Sequence, residues 1–121
     1  MTTEQDYVPA LERALRHSLD HLAGATDGHV GPTVTLDQLR ARLDSPLPEH
    51  GTAPAQVVDE LVRDVEGGIL GSTSGRFFGW VIGGTLPSAL AADWLTSAWD
   101  QNAAIHACGP AEAVIEEVTG A

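Results

Sequence analysis

Val8, Leu11, Leu15, Leu19 and Leu22 follow one another at steps of three and four residues, while Glu12, Arg13 and Arg16 take the other faces. That spacing admits an amphipathic helix over residues 6–23 and excludes a strand, whose faces alternate every second residue. Gly24 is the expected stop. The stretch 24–32 (GATDGHVGP) reads as a loop, and Thr35 with Gln38 forms a capping-box pattern opening a short helix through Leu36, Leu39, Arg40 and Leu43. Pro46 and Pro48 end it. A third helix is expected to start near Thr52–Pro54, carrying Val57, Val58, Leu61, Val62 and Val65 as a two-wide apolar stripe before Gly67 and Gly68.

The character of the chain changes near residue 71. GSTSG is a loop signal leading into RFFGWVIGG, which reads as a strand or an extended segment. Both Phe and all three Trp fall between residues 77 and 99. Thr85 is placed to cap a helix over LPSALAADWLTSAWDQNAA, with Leu86, Leu90 and Trp94 on one face. Asp93 and Asp100 interrupt that helix and no basic anchors flank it, so it does not read as a membrane span. Buried, each carboxylate would need a partner. Gly109 and Pro110 open a last helix through Val114, Ile115 and Val118. About five helices are therefore expected, an all-α fold for the isolated segment.

At 121 residues the length fits one compact domain able to bury a core without staples. The net charge of −11 repels phosphate backbones and anionic membrane surfaces, so neither nucleic acid nor membrane is an expected partner. The lone Cys108 allows no intrachain disulfide, and MTTEQDYVPALER has neither the basic start nor the apolar run of a signal peptide. A reducing cytoplasm is the expectation. All six basic residues are Arg, so the chain by itself cannot supply a Lys ammonium as Schiff-base nucleophile or base.

Few residue groups suggest chemistry of their own. His17 and His21 stand four apart on the first helix, a spacing that presents two imidazoles to one metal. The metalloprotease Glu between them is missing, and a solvated helix face near Asp20 is the simpler reading. His29, His50 and His106 are isolated and read as loop or packing residues, and Cys108 as a small core thiol. Gly83 and Gly84 could offer backbone N–H groups to an anion or equally make a tight turn. No Ser-His-Asp order or carboxylate pair follows from the spacing.

The block from Arg76, RFFGWVIGGTLPSALAADWLTSAWDQNAAIHACGPAEAVIEEV, resembles the start of the large domain in the group II pyridoxal-phosphate-dependent decarboxylases, which include aromatic-amino-acid and glutamate decarboxylases. The resemblance covers residues 76–118. It is carried by RFFGW, its spacing to ALAADWLTS, Asn102, and the Gly109–Pro110 pair ahead of a helix with Glu116 and Glu117. It implies the N-terminal part of an α/β fold-type-I enzyme, with residues 1–70 as a helical dimerisation segment and 71–121 as the start of the large cofactor-binding domain. By the same resemblance Trp80, Val81, Ile82 and Gly83 line the substrate pocket, and the segment Asn102 to Ala104 reaches into the neighbouring subunit's site. Plain packing would place the same residues equally well. Several relatives carry an aromatic residue where this chain has Ala104, so an aromatic contact to substrate is lost here.

In such enzymes the chemistry belongs to the cofactor, which accepts electrons as CO2 leaves the amino acid. The family's cofactor-binding Lys, the Asp against the pyridine nitrogen and the Ser- and Gly-containing phosphate turn all lie beyond the equivalent of residue 121. The expectation is therefore an N-terminal fragment without catalytic residues, inactive alone, with no pyridoxal phosphate and no metal bound to this chain alone. The full-length family is homodimeric and takes an amino-acid substrate. Phe77, Phe78, Trp80, Trp94 and Trp99, with no sheet to cover them, agree with that expectation. The alternative is a free-standing helical interaction module using Val57, Leu61, Val65, Leu90 and Trp94 as its interface.

Overall fold

The computed structural model describes residues 3–102 and 104–121. Five helices are present, α1 (Glu4–Gly24), α2 (Leu36–Leu43), α3 (Pro54–Val65), α4 (Pro87–Trp99) and α5 (Pro110–Thr119). Among the described residues there is no strand. The aromatic run after Arg76 is irregular chain with a turn at Trp80 and Val81, which resolves the strand-or-extended reading against a strand. The all-α expectation for the isolated segment holds.

Local chemistry explains where the helices begin. At α1, the Asp6 carboxylate accepts from the backbone N–H of Thr3 at 2.8 Å and from its hydroxyl at 3.0 Å. These bonds hold the Asp6 pKa below the ordinary carboxylate value. Pro9 sits inside α1 and leaves the Gln5 carbonyl without its helical donor. At α2 the capping box forms as the Thr35–Gln38 pattern suggested, with Gln38 N–H donating to Thr35 Oγ1 at 3.2 Å and Thr35 N–H donating to Gln38 Oε1 at 2.8 Å. Replacing Thr35 by Ala is expected to cost about 1 kcal/mol of stability, read as an earlier urea midpoint with an unchanged slope. The other three helices each start with proline, at Pro54, Pro87 and Pro110, where the missing N–H would have had no helical partner.

The chain divides into two compact units, Met1–Gly84 and Thr85–Ala121, instead of the single domain that its length suggests. In the first unit α3 is the central element, packing against both α1 and α2. Arg42 ties α2 to the end of α3 by donating to the Glu66 carbonyl at 2.8 Å. The loop after α1 is stitched to the chain beyond α3 by two backbone bonds, Thr33 N–H to the Gly67 carbonyl at 2.8 Å and Gly71 N–H to the Val30 carbonyl at 2.9 Å. In the second unit α4 and α5 do not pack on each other. Asp100 ends α4 in the left-handed region (φ 49°, ψ 52°), a conformation that a short polar side chain tolerates.

The expected core is not there. Among the described residues no hydrophobic side chain is buried, and Ser74 is the one buried polar residue. Two separate compact bodies of these sizes would together expose roughly 7,400 Å², whereas the chain exposes 9865 Å². The reason lies in the helix pairings. Each apolar stripe meets at most one or two neighbours, and covering it takes contact on more sides. Cys108 is likewise exposed, which corrects its reading as a core thiol. Asp93 and Asp100 are exposed and need no buried partner.

Candidate functional site

The first unit presents an apolar segment on a loop that is held from beneath. Ser74 is its hub. The Ser74 N–H donates to the Gly71 carbonyl at 3.0 Å, its carbonyl accepts from Phe77 N–H at 3.1 Å, and its hydroxyl oxygen accepts from Arg76 N–H at 3.2 Å. The Arg76 guanidinium donates to the Gly28 carbonyl, reaching the loop after α1 across 48 positions of sequence. Gly83 then brings the chain back against Ser72, so that a Cβ at Gly83 would fall 2.2 Å from the Ser72 carbonyl oxygen.

Between these anchors the backbone is strained. Trp80 (φ 59°) and Val81 (φ 52°) both occupy the left-handed region, which a β-branched residue enters only at a cost. Their side chains are displayed to solvent, Trp80 79% and Val81 104% exposed, with Ile82 next to them at 58%. The loop thus combines left-handed backbone with three adjacent solvent-exposed apolar side chains. The structure thus groups Trp80, Val81, Ile82 and Gly83 in one loop of the first unit.

Asn102 and Ala104 belong to the second unit, in the turn after α4. Ala104 N–H donates to Asn102 Oδ1 at 3.1 Å, and the Asn102 carbonyl accepts from Ile105 N–H at 3.4 Å. Gly109 closes the turn, leaving 2.7 Å between a Cβ placed there and the Asn102 carbonyl oxygen. Asn102 thus uses both of its oxygens in the local turn while remaining exposed, and Ala104 is exposed as well. Ala103, between them in the segment implied to reach a neighbouring subunit, lies outside the described residues.

The solvated-face reading holds for His21, which is exposed beside exposed Asp20, but not for His17. His17 instead pairs with α3. Its Nε2 lies 2.7 Å from Asp59 Oδ1 on α3, with the two side chains 30% and 38% exposed. Arg13, one turn earlier on α1, brings its guanidinium to 3.4 Å from Asp59 Oδ2. Arg13 and His17 thus form a polar clamp that joins α1 to α3. Among the described residues no three His, Cys, Asp or Glu side chains gather as a metal would require. Asp59 was not singled out by any motif. Its signal lay in Arg13 and His17, two donors one turn apart on a single face that call for an acceptor opposite.

The hydrogen bond from His17, helped by the charges of Arg13 and Arg16, holds the Asp59 pKa below the ordinary carboxylate value. A lowered folded-state pKa means stability that is present above the unfolded value, about 4, and lost as pH falls through the lower one. The wild-type chain is expected to lose more stability between pH 5 and roughly pH 3 than an Asp59→Asn variant does. Thermal midpoints of the two proteins across that window check it, and equal losses would contradict the clamp.

Gly83 and Gly84 both have positive φ, 122° and 80°, but lie in irregular chain after the turn at Trp80 and Val81, without a turn hydrogen bond of their own. The helix after them starts at Pro87 with Leu86 as its cap residue. Thr85 does not cap it, since its hydroxyl donates to the Leu86 carbonyl at 3.4 Å. Proline at the first position removes one of the N–H groups that an anion would use. Across the described residues no helix is long and apolar enough to cross a membrane. In comparisons with protein-family models, curated proteins and solved structures, the chain matches none of them.

Proposed function

We propose that this chain forms the N-terminal part of a pyridoxal-phosphate-dependent amino-acid decarboxylase and is inactive without the remainder. In this reading α1–α3 contribute to a homodimer, Trp80, Val81, Ile82 and Gly83 line the substrate pocket, and the turn at Asn102 and Ala104 serves the neighbouring subunit's site. The parent fold would be α/β and the enzyme cytoplasmic. The observation that carries the reading is the anchored, exposed segment Trp80–Ile82, falling inside the block 76–118 where the decarboxylase resemblance is densest.

The residues present do not by themselves fit the cofactor. The chain contains no Lys, and Arg76, its last cation, commits its guanidinium to the Gly28 carbonyl. No chemical step is therefore assigned to this chain. The experiment that tests the reading is the mass of the native polypeptide together with the coding sequence after Ala121. A product several times heavier, with a downstream Ser- and Gly-rich turn and a His-Lys pair, is expected. A native mass near 12.7 kDa with no such frame would overturn it. Mixing the purified chain with pyridoxal phosphate and amino acids is expected to produce neither a new absorbance band nor CO2.

A second reading, a stand-alone helical interaction module, keeps Val57 and Leu61 of α3 as exposed interface residues and adds Leu11, Leu15 and Leu19 of α1, while Val65, Leu90 and Trp94 are only partly exposed. It predicts a small, soluble product of 12.7 kDa that associates specifically, so the same mass measurement separates the two.

A further inference from the structure

We draw no further inference here: the strongest candidate, the exposed Leu95–Trp99 face of α4 in the second unit, carries nothing because no observation in the structure shows what covers it.

Discussion

Replacing Gly83 by Ala is expected to unfold the loop that presents Trp80–Ile82 and to destabilise the first unit more than any other single methyl addition among the loop glycines 75, 83 and 84. Two costs add at this position. The backbone sits at φ 122°, where an L side chain is strained by about 1–3 kcal/mol. The new Cβ would also stand 2.2 Å from the Ser72 carbonyl oxygen, which belongs to the backbone and cannot rotate aside. Gly84 separates the two costs, since its φ of 80° carries the strain with nothing within 4 Å of a Cβ. Gly75 has neither a positive φ nor a neighbour, so Ala there is expected to be neutral or to stabilise by about 0.4–1 kcal/mol through the unfolded chain. Urea unfolding followed by circular dichroism should rank the variants Gly83, Gly84, Gly75 from most to least damaged. An undamaged Gly83→Ala protein would mean that the loop does not close on Ser72.

Under the proposed dimerisation through α1–α3, Leu61→Asp is expected to convert the dimer into a monomer. Leu61 lies on α3, the helix that both α1 and α2 pack against, and is still 56% exposed. It stands with Val57 of α3 and Leu11, Leu15 and Leu19 of α1 among the apolar residues that the first unit leaves in contact with water. Covering such residues against a second copy is favourable by roughly 25 cal/mol per Å² of apolar surface, and a carboxylate placed among them is desolvated without a partner. At a central position of the proposed interface the loss would be about 2 kcal/mol or more, roughly thirtyfold in Kd. Light scattering at micromolar concentration measures it, and Leu61→Ala, which adds no charge and suits a helix, controls for loss of fold. A mass unchanged by Leu61→Asp would remove α3 from the association surface. This result bears on how the chain associates, whereas the native mass bears on whether it belongs to a larger enzyme.

The helices were legible because their causes are local. Thr35 and Gln38 are three residues apart, and the bonds they exchange need nothing from the rest of the protein. Pro54, Pro87 and Pro110 mark helix starts for the same reason, through the geometry of their own residue. The same logic explains the misplaced cap of α4. Thr85 is a good cap by type, but Pro87 settles at the first helical position and moves the boundary on to Leu86. The aromatic run at 77–82 misled in another way, since β-branched and aromatic residues favour strands only where a neighbouring strand exists to pair with them.

The sequence by itself determined five helical segments and the concentration of Phe and Trp after residue 76, but it carried the fourth helix on to Ala104, whereas that helix ends at Trp99 with Asp100 left-handed. Tertiary structure decided the partner of His17, which is Asp59 at a distance of 42 positions in sequence. It also decided that Arg76 reaches back to Gly28 and that Gly83 closes on Ser72, so that Trp80 and Val81 are turned outward. The division has one physical cause. A helix satisfies its backbone within four residues, so its pattern can be read along the chain. A clamp or an anchored loop depends on which distant surfaces meet, and the helix period leaves that choice open.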